Sequence, residues 1–165
     1  MPRFVGFALA TLVLFATLES AQALPGFQKL YIKKYASDEK QAEYKELLEK
    51  KAKCFTCHQG KKKKNRNDYG VQLARILDKK EHKKYKDEKV AKQIMQAFDV
   101  VGKMKSNPKD EKSPTYAELI AKGKLPNGKL EDSQKEPTEE EIKAREAEEK
   151  KPIKDDKKGS DKKEE

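Results

Sequence analysis

Residues Ser37–His58 read SDEKQAEYKELLEKKAKCFTCH, and the arrangement of the rest of the chain follows from them. Asp38 can cap a first helical turn, and Gln41, three residues on, can return a bond to the backbone. Tyr44, Leu47, Leu48 and Ala52 then follow at helical spacing among lysines and glutamates, one apolar stripe that must face a core. The helix runs straight into Cys54. Cys54 and Cys57 stand three positions apart with His58 directly after them, and they are the only two cysteines in 165 residues.

Several chemistries compete for such a pair. Two thiols at this spacing, at the end of a helix, can reach the two vinyl groups of one porphyrin while the next residue presents an imidazole to its iron. That is the spacing of c-type haem attachment. A thioredoxin-like dithiol expects a βαβ context that the sequence lacks. A structural zinc site needs four ligands, and Cys54, Cys57, His58 and His82 are all the Cys and His the chain has. A simple disulfide is geometrically poor at this spacing and leaves His58 without a task. The reading is one covalently attached haem c, with a non-haem zinc or disulfide module as an alternative.

Outward from the motif, the periodicity predicts more helices. One begins near Asn67 or Asp68, with Val71, Leu73, Ala74, Ile76 and Leu77, and dissolves in the charged run 78–84. A third spans about Asp87 to Lys103, where Val90, Ile94, Ala97, Phe98 and Val101 share one face and Met95 falls off it. In the last, Ser113 is the expected cap and Pro114 the first helical residue, followed by Tyr116, Leu119 and Ile120 before Gly123. Pro126-Asn127-Gly128 ends it with a turn. No stretch alternates polar and apolar with β-branched enrichment, so the fold class is all-α, a bundle of about four helices.

The two ends read differently. Phe4–Leu18 is an apolar run of 15 residues behind Arg3, followed by Ala21-Gln22-Ala23, the pattern of a secretory signal cleaved after Ala23 (residues 1–23). It falls short of the roughly 20 residues of a permanent membrane helix. The mature chain is therefore expected in the periplasm or another extracytoplasmic space, which agrees with covalent haem attachment. Residues 131–165 hold 14 acidic and 10 basic residues, with Ile142 and Ile153 as the only large aliphatics, and this composition predicts a disordered tail. Between them lies the expected domain, residues 24–130, with 28 Lys and Arg against 14 Asp and Glu. Its net charge is thus +14, against +10 for the whole chain.

Composition narrows the function further. With 41% charged residues, 35% hydrophobic ones and no Trp, a core cannot fill the whole length. Lys61–Lys64 and Arg66 follow the motif so closely that they must lie near its cofactor. They read equally as a docking surface for an acidic redox protein and as a solvated loop offsetting the haem propionates. Anionic membrane surfaces are a third partner class for such lysines. Nucleic acid is disfavoured, because no base-stacking aromatics interleave the basic run and the chain is exported.

On the Cys54-Phe55-Thr56-Cys57-His58 motif, the helix before it and the later helix with Tyr116, Leu119 and Ile120, the chain resembles the small monohaem c-type cytochromes of class I. The resemblance covers about Ser37 to Leu130. It implies that Cys54 and Cys57 hold the haem by thioethers, that His58 is the proximal ligand, and that the helix before the motif packs against the last one. The family's distal Met commonly comes from a loop near the last helix; here Gly123-Lys124-Leu125-Pro126 has Leu125 where sulfur should be. Met104 is the nearest substitute, although it also reads as the edge of an apolar stripe. Met95, His82 among its lysines, and no ligand at all are the other options. A Met/His iron suits electron transfer, whereas an open distal position suits a gas sensor or weak peroxidase. No acid–base pair is visible beside the motif, which favours an electron carrier over an enzyme.

Overall fold

The computed structural model describes residues 25–153. The expected signal segment and residues 154–165 lie outside the described part. Helix α1 (Pro25–Tyr35) is followed by a continuous helical path: a 3-10 turn at Glu39–Gln41, α2 (Ala42–Glu46), a π-type turn at Leu47–Ala52 and a 3-10 turn at Lys53–Thr56. A two-stranded antiparallel hairpin, β1 (His58–Gln59) and β2 (Asn65–Arg66), pairs His58 with Arg66 and Gln59 with Asn65. Then come α3 (Asp68–Ala74), α4 (Glu88–Gly102), α5 (Tyr116–Ala121), α6 (Leu130–Gln134) and α7 (Glu139–Glu149). The molecule is helical, as the periodicity predicts. The hairpin is too short to leave an alternating pattern.

Helix α4 is the hub. Ile94, Ala97, Phe98 and Val101 are buried on one face, and α1, α3 and α5 all pack against it. Asp87 caps it by accepting from the Val90 N–H at 3.1 Å. Helix α1 carries Phe27, Leu30, Tyr31 and Tyr35 at helical spacing behind Pro25, a signal that could have revealed it. Tyr35 Oη donates to the Phe98 carbonyl at 2.9 Å, and Lys34 pairs with Asp99 at 2.6 Å, so α1 is tied to α4 by polar bonds as well as packing. In the expected arrangement the helix before the motif packs against the last helix; here the main long-range helix contacts run from α4 to α1, α3 and α5 and from α3 to α7.

Tyrosines fill the place of the missing Trp. Tyr31, Tyr69 and Phe98 meet edge to face with ring centroids 5.5 to 6.1 Å from Tyr31, and Tyr69 stacks edgewise on Tyr116 at 5.1 Å. Tyr31 and Tyr44 share one hydrogen bond between their hydroxyls at 2.9 Å. Burial raises the pKa of both phenols, so both stay protonated.

Three expectations need correction. Ser113 does not cap α5: Thr115 does, in a reciprocal box with Glu118, while Ser113 is bound to Asn107 in the preceding loop. Gln41 does not return a bond, its side-chain oxygen being buried without a partner, though Asp38 does accept from the Lys40 N–H. Residues 131–153 are not a disordered tail. They form α6 and α7, and α7 lies on α3 although it buries no residue of its own. Composition misleads here because the helix is held by ion pairs and capped ends rather than by apolar burial. Among the described residues no helix is long and apolar enough to cross a membrane.

Candidate functional site

The π-type turn at Leu47–Ala52 carries the chain into the motif. In it the Lys53 N–H bonds the Leu48 carbonyl, which also accepts from Gln28 Nε2 of α1 at 3.0 Å. Such turns widen a helix locally and recur at functional sites. The following 3-10 turn holds Cys54 and Cys57 close, with the Cys57 N–H bonded to the Cys54 carbonyl at 3.2 Å. Both cysteines are free thiols.

Below the motif, Asn67 holds the loop. It is fully buried, and its Nδ2 donates to the carbonyls of Phe55 (3.0 Å) and Thr56 (3.2 Å) while its Oδ1 accepts from the Gly70 N–H at 2.9 Å. Its own N–H bonds the Cys57 carbonyl at 3.0 Å. One residue thus caps α3 and clamps the thiol-bearing turn onto it. Gly70 allows this approach, since a Cβ there would fall on the Cys57 carbonyl. The sequence marks Asn67 only as a helix start; its clamp role depends on a loop 12 residues away.

Cys54, Cys57 and His58 line one cavity of about 360 Å³. That lies within the roughly 300–1,000 Å³ of small-molecule and cofactor sites. Its walls are Phe27 and Tyr31 of α1, Leu73 and Ala74 of α3, Leu77 beyond it, and Phe98 of α4. Lys53, Lys64, Arg66 and Lys79 also reach it, with Asp78, Gln28 and Thr56, so charged and polar groups join a mainly apolar lining.

Burial pushes the Cys57 thiol up to about 12; Cys54 adds to the rise and Arg66 opposes it. The thiol is therefore protonated at neutral pH, unlike an activated redox cysteine. Burial also lowers the pKa of His58, helped by Arg66 and opposed in part by backbone groups of Asn65 and Lys63. The imidazole is held neutral, and its Nδ1 is buried without a well-formed hydrogen bond. Among the described residues no three Cys, His, Asp or Glu side chains converge as a metal cage requires. Two thiols and a neutral imidazole on the wall of an apolar cavity are the donors that a covalently held, iron-bearing macrocycle needs.

The residues considered for a distal role do not gather here. Met104 packs half-buried against the core, its backbone engaged with Val101 and Tyr116, and does not line the cavity. Neither does Met95, nor Leu125, which is buried in the core cluster. His82 is buried rather than solvated, because a 3-10 turn folds it back and its Nδ1 bonds the Asp78 carbonyl at 2.8 Å. It too lies outside the lining.

No protein-family model matches the chain, and no curated protein or solved structure matches it. Its class must be argued from the cavity and the motif alone.

Proposed function

We propose that the chain is an exported monohaem c-type cytochrome that carries electrons, similar to the class I type. One observation carries the reading: Cys54, Cys57 and His58 share the wall of a single, mainly apolar cavity. Cys54 and Cys57 would hold the haem as thioethers, and the neutral His58 would offer its imidazole nitrogen to the iron. When bound, the haem supplies a one-electron iron couple. Phe27, Leu73, Leu77 and Phe98 exclude water from it, and Lys64, Arg66 and Lys79 offset its carboxylates and draw in an acidic redox partner. Export, inferred from residues 1–23, provides the compartment in which such attachment is typical.

The test is covalent haem content in protein made in an exporting host with haem-maturation machinery, read as the pyridine haemochrome. Thioether-linked haem in the wild type, lost in the Cys54→Ala, Cys57→Ala double variant, supports the reading. Absence from the wild type, or persistence in the variant, refutes it.

A second reading follows from the lining. None of Met104, Met95, His82 and Leu125 reaches the cavity, which favours an iron carrying His58 as its only protein ligand and able to take nitric oxide or carbon monoxide. Carbon monoxide binding by the reduced protein, with no Met–iron band in the oxidised spectrum, would support a sensor or weak peroxidase; a Met–iron band lost in Met104→Ala would refute that second reading.

A further inference from the structure

Helix α7 lies on α3 and the hairpin, yet it has no buried residue. What holds it is charge. Arg66 Nη1 pairs with both Glu149 oxygens at 2.7 and 2.9 Å, and Arg75 Nη1 pairs with Glu148 at 2.9 Å. Arg75 also donates to the carbonyls of Lys151 and Pro152, each at 2.9 Å. In the other direction, Arg145 of α7 reaches Asp68 at 2.8 Å and Gln59 at 2.7 Å.

The helix is also unevenly built. Thr138 and Glu141 close a capping box at its start, where Glu139, Glu140 and Glu141 suit the helix dipole. Its last turn holds Glu148 and Glu149 and no basic residue, the wrong sign for that end. Lys151, just past the helix, answers Glu148 at 2.8 Å, and Arg66 and Arg75 on the body of the protein supply the positive charge that ties this end down. An isolated helix of 11 residues is marginal in water, so the docked state depends on these pairs.

The place where α7 docks matters. Arg66 lines the cavity and sits opposite His58 across the hairpin, and Lys64 lines it beside Arg66. The acidic end of α7 therefore engages one cation of the cavity wall, Arg66, together with Arg75 outside the lining, as an acidic partner would.

We propose that the face made by Arg66 and Arg75 is a docking site for an acidic segment of a partner protein, and that α7 is a displaceable latch occupying it in the free protein. The charge of the occupant is read from α7, which already fills the site with two glutamates on two arginines. The partner's identity as a redox protein rests on the proposed function; the latch does not.

Hydrogen exchange on the full chain tests the latch. Raising salt from 20 to 500 mM should speed exchange in 139–149 at least tenfold and leave 88–102 within twofold, because screening acts on ion pairs and not on apolar packing. In the full-length Glu148→Lys, Glu149→Lys variant, 139–149 should exchange rapidly even at low salt. That variant should bind a labelled peptide of residues 137–153 at least tenfold more tightly than the wild type does. The same peptide carrying Glu148→Gln and Glu149→Gln should bind at least tenfold more weakly. Salt-insensitive exchange in α7, no gain of peptide binding in the variant, or equal binding of the two peptides would each overturn the proposal. Haem content, measured separately on the same samples, distinguishes this failure from a failure of the cytochrome reading.

Discussion

Asn67 divides its side-chain amide between the turn that carries the thiols and the Gly70 N–H of α3, and its replacement tests how that turn is held. Asn67→Asp keeps an oxygen for the Gly70 N–H but cannot donate to the Phe55 and Thr56 carbonyls, so the cap survives and the clamp is lost. Denaturant unfolding should show a loss of about 2–3 kcal/mol, the cost of leaving buried carbonyls unpaired beside a new buried charge. Two tyrosines make a second, paired test. Tyr31→Phe leaves the Tyr44 hydroxyl without its buried partner and should cost about 1–2 kcal/mol. Tyr69 has a buried hydroxyl with no well-formed partner, so Tyr69→Phe should change stability by less than about 0.5 kcal/mol. Equal losses in the two variants would refute this assignment. At this scale the sequence identifies Cys54, Cys57 and His58, because the spacing is local. It cannot identify Asn67, whose bonds cross from one element to another.

The helices divide by what stabilises them. Helix α4 shows its face in the sequence, since apolar residues at helical spacing become the buried stripe. Helix α7 does not, because its contacts are between charges that are distant in sequence, Arg66 with Glu149 and Arg75 with Glu148. The Glu148 carboxyl is held below its ordinary value, first by its bond to Lys151 and then by Lys151 and Arg75 as charges. A carboxyl depressed in the folded state adds stability above its unfolded pKa, about 4.3 for Glu, and loses it as pH falls through the lower folded value. Only the Arg75 share of that effect ties α7 to the body, so α7 should loosen from α3 in acid, below about pH 4, while α4 stays folded. Hydrogen exchange measured against pH, with α4 as internal reference, checks this; joint loss of both helices at one pH would contradict it. Packing of α3 under the motif gives another test. Gly70→Ala forces a Cβ onto the Cys57 carbonyl and should cost about 1–3 kcal/mol or more and, on the cytochrome reading, lower the haem loading of the expressed protein.

Across the whole molecule, the +14 of residues 24–130 is partly answered by α7, whose Glu149 pairs with Arg66 on the cavity wall and whose Glu148 pairs with Arg75. The cavity itself interrupts a small core: Phe27, Tyr31, Leu73 and Phe98 face it as well as one another. On the cytochrome reading a bound haem supplies the apolar body that these walls lack. The double variant Cys54→Ala, Cys57→Ala, made without haem, should then melt at least about 10 °C below the loaded protein, as expected when a ligand binds only the folded state. Equal melting temperatures would show that the cavity is stable without a filler. The sequence by itself determined the helical class, the stripe of α4 and the thiol–thiol–imidazole motif, since each depends on spacing within a few residues. Only the tertiary structure decided the rest: that α1 belongs to the core, that Met104 and His82 lie away from the cavity, that Asn67 clamps the motif and that residues 131–153 are docked. The physical reason is that packing and ion pairing act between residues that are close in space, and spacing along the chain carries no record of those distances.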